Sequence, residues 1–443
     1  MNGRIKLYFQ GVFWIIVYLV LTLTPLFLLL LGPVPAGRGF WREFSVALGF
    51  AGLAIMGWQF ALTARFRRVK APFGSDIVYF FHRQISLVAF VFILSHPVIL
   101  FITSPDTLQL LNVFAAPWRA RAGVTALFSV FALITISLWR KRFKIHYDQW
   151  RKWHGVLAIV SVAFAMAHIV GVGHYVGTPW KRALWIGYGV VWIGLLAYVR
   201  IVKPWMELRR PYQVEQVGQE RGNAWTLTLR PDGHKGLVFS PGQFAWLTIW
   251  DSPFSDSEHP FSFSSSAAHP EQLKFTIKEL GDFSERIKFA KTGQPVYLDG
   301  PHGAFSIDRH PHAPGYVFIT GGVGITPVMS MLQTLADRGD SRPLLLIYAN
   351  KTWDLVTFRE EIITLQTRLN LRVVNVLEQV PDDWKEEKGF VNAEILKRNL
   401  PEDRGRFEYF ICGPEPMMNA VEKTLDQLGV PFSRVHSERF NLV

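Results

Sequence analysis

The feature that most constrains this chain is a pair of histidines that occurs twice, each time inside a long apolar segment. His82 and His96 are fourteen residues apart, and His154 and His168 repeat that interval with almost only apolar residues between them. On an α-helix this interval places two side chains on one face, about 21 Å apart along the axis. One such histidine alone is more often a hydrogen-bonded core residue, but the repeated pair indicates a functional site. In parallel helices His82 would face His154 and His96 would face His168, and each pair could hold a haem iron.

Six apolar segments make up the first half of the chain, and each is long enough to cross a bilayer. They cover residues 8–31, 42–63, 77–103, 122–139, 153–174 and 184–202. The first is too long for the apolar part of a signal peptide, so we expect it to be retained.

The basic residues behind the net charge of +12 are distributed unevenly about these segments. If the six segments span a membrane, their flanking regions place sixteen Lys and Arg residues on one side of it and six on the other. This asymmetry predicts a multi-pass protein of the plasma membrane with both termini in the cytoplasm. It accounts for the basicity without nucleic acid as a partner. His82 and His154 then lie at the cytoplasmic end of their helices, and His96 and His168 lie at the far end.

The remainder of the chain is predicted to form two soluble domains. Short alternating strands at 212–217, 224–230, 244–250, 273–278 and 295–299 indicate a small antiparallel barrel. Beyond about residue 313 apolar strands alternate with helical stretches, which indicates a parallel sheet with crossover helices. We therefore expect a six-span α-helical membrane bundle (1–205), a β-barrel domain (206–312) and an α/β domain (313–443).

Four short motifs in the soluble part suggest nucleotide chemistry. Gly321-Gly-Val-Gly-Ile-Thr-Pro327 follows a strand and precedes a helix, where the backbone can approach a pyrophosphate. Cys412-Gly-Pro414 follows another apolar strand and is expected across the crevice that a nicotinamide enters. In the barrel, His259-Pro-Phe-Ser262 offers rings and a hydroxyl group to a flavin, and Gly281-Asp-Phe-Ser284 is a second small-residue turn. Each motif alone could be an ordinary turn or polar loop.

Together these segments resemble the transmembrane NADPH oxidase and ferric reductase superfamily over nearly the whole chain. The family's haem histidines have near-identical spacing, and its His-Pro-Phe-Ser/Thr, G-G-x-G-x-x-P and C-G-P motifs match 259–262, 321–327 and 412–414. Its pyrophosphate turn looks like 281–284, and its G-P-x-G turn looks like 300–303. The resemblance implies two b-type haems, FAD in the barrel, and NADPH or NADH in the α/β domain. No C-x-x-C-H sequence occurs, so the haems would be held without covalent bonds. Cys412 is the only cysteine, which excludes an iron–sulfur cluster ligated by cysteines of this chain.

Two further expectations concern the coenzyme and the flavin. The strand at 344–349 ends in Asn350-Lys351 with no adjacent acid, and Arg359 follows, so a 2′-phosphate could meet a cation there. This favours NADPH, although a surface lysine is the alternative interpretation. Family members often end on an aromatic residue that covers the flavin, and Phe440 is the candidate although three residues follow it.

The predicted site residues form two groups. The haem ligands are His82, His154, His96 and His168, and the cofactor-binding residues are His259, Pro260, Phe261, Ser262, Gly281, Asp282, Phe283, Ser284, Gly321, Gly322, Gly324, Thr326, Pro327, Lys351, Arg359, Cys412, Gly413, Pro414 and Phe440.

The predicted function is that of an NAD(P)H-dependent flavohaem oxidoreductase that moves electrons across a lipid membrane to a small-molecule acceptor. The loops on the far side contain no cluster of metal-ligating residues, which favours dioxygen, reduced to superoxide, over a ferric chelate. A haem subunit serving a periplasmic or quinone-linked partner is a second alternative, and a structural or sensory haem protein is a third. The fused flavin and nucleotide motifs argue against both, and no protein partner is required.

Overall fold

The computed structural model describes residues 3–32, 35–66, 74–255 and 257–439. The chain separates into two compact units, with the division between Pro204 and Trp205. The first unit is helical, and the second contains both β-sheets.

In the part of the chain that the structure describes, the helical unit contains six long apolar helices, each long and apolar enough to cross a membrane, as predicted. They are α1 (Gly3–Leu29), α2 (Phe40–Thr63), α3 (Ser75–Thr103), α4 (Trp118–Leu138), α5 (Tyr147–Val172) and α6 (Pro179–Ala197). A π-helical turn, Tyr198–Val202, joins α6 to the short helix α7 (Lys203–Leu208). Helix α3 continues beyond Pro97 to Thr103.

Small residues determine how closely these helices pack. Helix α2 packs along α3, and α4 packs along α5. A Cβ atom on Gly52 of α2 would lie only 2.6 Å from a side-chain carbon of Ile93, and one on Gly57 would lie 2.2 Å from the ring of Trp192. Glycine at these positions therefore allows the helices to approach, as is usual where no hydrophobic effect drives association.

The barrel predicted from the alternating strands is present as a curled antiparallel sheet. Its strands are β1 (Tyr212–Glu220), β2 (Ala224–Pro231), β3 (Phe244–Ile249), β4 (His259–Ser262), β5 (Leu273–Lys278) and β6 (Pro295–His302), in the order β4-β3-β6-β1-β2-β5. A bridge between Phe263 and Phe275 connects the two outer strands, and both rings are fully buried. Helix α8 (Asp282–Arg286) lies between β5 and β6 in the chain.

The last part of the chain forms the predicted parallel sheet with crossover helices. Its strands are β7 (Tyr316–Gly321), β8 (Leu344–Asn350), β9 (Leu371–Leu377), β10 (Glu387–Lys388), β11 (Glu408–Cys412) and β12 (Val435–Ser437), in the order β10-β9-β8-β7-β11-β12. The helices are α9 (Ile325–Asp337), α10 (Arg359–Arg368), α11 (Ala393–Asn399) and α12 (Glu415–Gln427). The strand order reverses at β7, which has β8 on one side and β11 on the other. In such sheets ligands bind beyond the carboxyl ends of the strands at this position.

Candidate functional site

Two pairs of imidazole rings face each other between α3 and α5. The ring centroids of His82 and His154 are 6.3 Å apart, and those of His96 and His168 are 6.5 Å apart. Each pair combines residues at corresponding ends of the two helices, so α3 and α5 are parallel. The planes of the two rings are inclined by 61° and 62°, so the rings do not stack on each other.

The pair formed by His96 and His168 is oriented by backbone carbonyl groups of the preceding helices. Nδ1 of His96 lies 3.0 Å from the carbonyl oxygen of Ser45 on α2, and Nδ1 of His168 lies 2.8 Å from that of Arg119 on α4. A carbonyl oxygen only accepts, so Nδ1 carries the proton and Nε2 keeps its lone pair. Metal-ligating histidines are usually oriented in this way, through the nitrogen that does not bind the metal.

The pair formed by His82 and His154 is oriented by polar side chains. Nδ1 of His82 lies 2.6 Å from Oε1 of Gln59, and Nδ1 of His154 lies 3.1 Å from Oγ of Ser137. The Ser137 hydroxyl group donates to the carbonyl oxygen of Leu133, so it accepts from His154. In this pair, too, Nε2 is the nitrogen available to a metal.

A glycine lies one helical turn beyond each carbonyl group that orients the His96–His168 pair. A Cβ atom on Gly123 would lie 2.8 Å from Nδ1 of His168, and one on Gly49 would lie 3.3 Å from Cγ of His96. Real Cβ atoms essentially never approach another heavy atom as closely as 2.8 Å. The absence of a side chain on Gly123 therefore makes room for the ring of His168.

A cavity of about 690 Å³ surrounds His96 and His168, within the size range of cofactor sites. Most of its wall is apolar, but Arg38, Arg42 and His174 also line it. Nε of Arg38 and Nε2 of His174 are buried and have no hydrogen-bond partner among the residues that the structure describes. Buried polar atoms are rarely left without a partner. The cavity therefore suits a large apolar ligand with an anionic edge.

The spacing of both histidine pairs suits an iron held by two imidazoles. An iron–nitrogen bond of about 2 Å, with about 1.1 Å from nitrogen to ring centroid, places the centroids about 6.2 Å apart. The separations of 6.3 and 6.5 Å are close to this value. A haem has such an iron, an apolar macrocycle and carboxylate groups at one edge, so the residues around His96 and His168 fit one haem. The spacing of His82 and His154 fits the iron of a second.

The residues predicted to bind flavin come together between β4 and α8. The ring of His259 stacks on that of Phe283 with 3.9 Å between centroids, and the ring of Phe261 lies 5.8 Å from that of Phe283, nearly parallel to it. Pro260 pairs with β3, and Ser262 is buried at the end of β4. These flat, nearly parallel rings are suited to stacking against an isoalloxazine.

The turn at 281–284 is stabilised by its own serine. Oγ of Ser284 accepts hydrogen bonds from the backbone N–H groups of Leu280 and Gly281, at 2.9 and 3.1 Å. The turn leads directly into α8, whose first residue is Asp282. Two backbone donors are thus engaged within the turn and are not directed at a ligand.

The two predicted glycine turns of the parallel sheet lie against each other at the ends of β7 and β11. A Cβ atom on Gly324 would lie 2.4 Å from the carbonyl oxygen of Cys412, and one on Gly413 would lie 2.9 Å from the amide nitrogen of Gly321. Only glycine permits this approach. Gly322 has φ of +53° and open space where its side chain would be, so a pyrophosphate could approach its backbone.

The residues after this turn begin the crossover helix. Oγ1 of Thr326 donates to the carbonyl oxygen of Val323, at 2.8 Å, and Pro327 lies in the first turn of α9. Pro414 directly precedes α12 and is its N-cap. Both turns therefore lead into helices, the context in which such motifs bind dinucleotides.

Glu438 lies beside two of the predicted turns, although no sequence pattern pointed to it. Its backbone N–H donates to the carbonyl oxygen of Ile411, and its Oε1 lies 3.0 Å from where a Cβ atom on Gly303 would be. Burial raises the pKa of the neighbouring Cys412 thiol, and the charge of Glu438 raises this pKa further. The thiol therefore remains protonated at neutral pH. A single acid after the last strand forms no pattern that sequence reasoning could use.

The residues predicted to select the coenzyme lie beyond the end of β8. Lys351 is exposed. The guanidinium carbon of Arg359 is 4.8 Å from the ring centroid of Trp353, and one of its nitrogens is 3.2 Å from Oε1 of Glu360. A 2′-phosphate would have to compete with Glu360 for this guanidinium. The predicted flavin cover, Phe440, lies outside the described residues.

Comparison with known proteins identifies three matched families along the chain. Residues 48–166 match the ferric reductase like transmembrane component, 219–306 match an FAD-binding domain, and 318–423 match the oxidoreductase NAD-binding domain. With the six apolar helices and the two sheets, these matches define a membrane-linked FAD- and NAD(P)H-dependent oxidoreductase module. This succession of domains is the architecture of the ferric reductase and NADPH oxidase superfamily.

Individual relatives are similar over about half of the chain. The reductase component of propane 2-monooxygenase from Rhodococcus jostii (strain RHA1) is 30% identical over 48% of this chain and 59% of its own length. The flavohemoprotein of Deinococcus radiodurans is 30% identical over 52% of this chain and 59% of its own. The chain thus spans about three fifths of the length of these relatives. The flavohem-like FAD/NAD binding domain of the nitric oxide dioxygenase from Vibrio cholerae aligns with a TM-score of 0.45 and 26% identity, over 52% of this chain and 97% of that one.

Proposed function

We propose that this protein transfers electrons across the plasma membrane from cytoplasmic NAD(P)H, through FAD and two b-type haems, to an acceptor on the far side. The observation that carries this proposal is the two histidine pairs, 6.3 and 6.5 Å apart, with every Nδ1 engaged. When bound, FAD would supply the conversion of a two-electron hydride into single electrons, and the two haems would supply one-electron carriers.

The residues of the helical unit would hold and orient the haems. His82 and His154 are the proposed ligands of one iron, and His96 and His168 those of the other. The side chains of Gln59 and Ser137, and the carbonyl groups of Ser45 and Arg119, fix the ring orientations. Nε of Arg38 and Nε2 of His174, which have no partner among the described residues, would receive the carboxylates of the haem proposed near His96.

The residues of the second unit would hold FAD and the coenzyme. His259, Phe261 and Phe283 would contact the flavin, with the hydroxyl group of Ser262 as a hydrogen-bonding group at the end of β4. The turns at 321–324 and 412–414 would receive the dinucleotide at the strand-order reversal. The buried Cys412 and Glu438 would exclude water around the nicotinamide. Lys351 and Arg359 support a preference for NADPH.

Dioxygen, reduced to superoxide, is the proposed acceptor. Among the described residues, the one group of three metal-ligating side chains belongs to the second unit, and the described residues of the helical unit form no such group. Nothing described at that end of the bundle is therefore suited to holding a ferric ion. Ferric-chelate reduction is the second candidate, because Arg38 and Arg42 would attract an anionic chelate.

The haem assignment is tested with His96→Ala and His168→Ala, compared with His146→Ala at the N-cap of α5, outside both pairs. We expect the ratio of haem to FAD to fall from two to one in the first two variants and to remain at two in the third. NAD(P)H should still reduce the flavin in all three. Two bis-histidine haems per FAD in purified His96→Ala would overturn the assignment.

The acceptor is tested by supplying NADPH and FAD in air and following cytochrome c reduction with and without superoxide dismutase. We expect the dismutase to suppress most of the reduction. Reduction that is insensitive to the dismutase, together with rapid anaerobic turnover of ferric citrate, would favour the ferric reductase instead.

A further inference from the structure

Two histidines and a glutamate meet at the edge of the parallel sheet opposite the glycine turns. Glu408 is the first residue of β11, and His436 lies on the adjacent strand β12. His310 follows the short helical turn Ile307–Arg309, in the segment that connects the barrel to the parallel sheet. No motif in the sequence joins these three residues, which are separated by 98 and 28 positions along the chain.

The ligand atoms of the three side chains lie close together. Oε2 of Glu408 lies 2.8 Å from Nε2 of His436 and 3.7 Å from Nδ1 of His310. One ligand atom from each residue lies within 4.8 Å of the other two. The two imidazole rings are stacked with their centroids 4.0 Å apart, so both rings approach the carboxylate from the same side.

Arg434 engages the other oxygen of the same carboxylate. Its Nη1 lies 3.2 Å from Oε1 of Glu408, and it also donates to the carbonyl oxygen of Arg406. This contact anchors the carboxylate through Oε1, which leaves Oε2 turned towards the two imidazoles. Glu408 would therefore bind a cation through one oxygen only.

We propose that His310, Glu408 and His436 form a binding site for a divalent transition-metal ion of the Zn²⁺ class. Two imidazole nitrogens and one carboxylate oxygen are a common ligand set for zinc, with water in the fourth position. Ligand atoms about 2.1 Å from a tetrahedral ion lie about 3.4 Å from each other, a value between the two distances from Oε2 of Glu408. Glu408 is only 4% exposed, but the side chain of His436 is 21% exposed, so the ion and the water can enter from that side.

The proposed ion would join two segments that border the catalytic region. His310 belongs to the segment between the barrel and the sheet, and His436 precedes Glu438 by two residues. A bound ion would therefore fix the strand that leads to Glu438 against the interdomain segment. This role is independent of the haems and of the electron acceptor.

The site is tested on the full-length protein after removal of any affinity tag and treatment with a chelator. The protein is equilibrated with Zn²⁺, loosely bound metal is removed on a desalting column, and zinc per chain is measured by mass spectrometry. His310→Gln and His436→Gln are compared with His312→Gln, an exposed histidine in the same segment. We expect wild type and His312→Gln to retain one more zinc per chain than the other two variants, and to show a higher midpoint of thermal unfolding with Zn²⁺.

FAD content verifies that each variant is folded. Because a variant could fail to fold, modification of histidines by diethyl pyrocarbonate is also followed in the wild type. Zn²⁺ should slow the modification of His310 and His436 at least tenfold, with no effect on His312. Equal zinc retention in wild type and the two site variants, or equal modification rates with and without Zn²⁺, would overturn the proposal.

Discussion

Replacing Gly123 by alanine should weaken binding of the haem proposed near His96 while leaving the rest of the protein intact. The new Cβ atom would lie 2.8 Å from Nδ1 of His168, whereas ordinary contact begins at 3.4 Å. The ring must therefore move by about 0.6 Å, the order of displacement that disrupts close packing. Its hydrogen bond to the carbonyl oxygen of Arg119 is already at 2.8 Å, so the ring cannot move in that direction. Losing such an orienting contact typically weakens metal binding about 10–100-fold.

Two matched glycines provide the controls. A Cβ atom on Gly49 would lie 3.3 Å from Cγ of His96, so a shift of about 0.1 Å relieves the contact and Gly49→Ala should keep both haems. A Cβ atom on Gly187 of α6 would meet nothing within 4 Å. Haem and FAD are quantified in the purified variants, and the low-spin haem signals are recorded by electron paramagnetic resonance. Two haems with unchanged signals in Gly123→Ala would refute the steric reasoning, as would equal loss in Gly187→Ala.

Three further predictions concern other parts of the molecule. Gln59→Leu removes the acceptor for Nδ1 of His82 and should weaken retention of the haem proposed between His82 and His154 about 10–100-fold. Retention is measured as haem per FAD after dilution in detergent, and full retention would contradict the role of Gln59. Arg359→Ala and Lys351→Ala should each lower kcat/KM for NADPH about tenfold or more and leave kcat/KM for NADH nearly unchanged. Comparable kcat/KM values for both coenzymes in the wild type would rule out a preference for NADPH. Because the pKa of the Cys412 thiol is raised, the folded protein should contain almost no thiolate up to pH 9. Labelling by iodoacetamide, measured by intact mass, should therefore stay slow from pH 7 to 9 and become fast only in denaturant. Rapid labelling of the folded protein would contradict the burial of this thiol.

Long, periodic features of the sequence predicted the fold well. The six apolar runs predict the six long helices, and the alternating strands predict the curled sheet, because burial of apolar side chains determines both patterns. Strand β4 was interpreted only as a flavin motif, since its four residues, His259–Ser262, show no alternation of their own. The two-residue strand β10 was missed because it is held by pairing with β9 and not by any local preference.

The candidate site was predictable where side chains carry the chemistry and not where the backbone does. The four histidines share a spacing that the sequence displays directly. The carbonyl groups of Ser45 and Arg119 have no counterpart in the sequence, because every residue has such a group. Gln59 is the one amide side chain in its apolar run, and this is the sequence feature by which it could have been found. Ser137 is one of four hydroxyl-bearing residues in the run 122–139, so the sequence does not distinguish it.

The pairing of helices also determines when the proposed haems could enter during synthesis of the protein. His82 and His96 are oriented by α2, and His154 and His168 are oriented by α4, so each helical hairpin would supply one ligand to each proposed iron. A ribosome that has released α2 and α3 into the membrane has delivered two oriented imidazoles but no complete pair. If these histidines hold two haems, as proposed, insertion of either haem would have to wait until α5 has been translated. Chains that stop before α5 would then lack both.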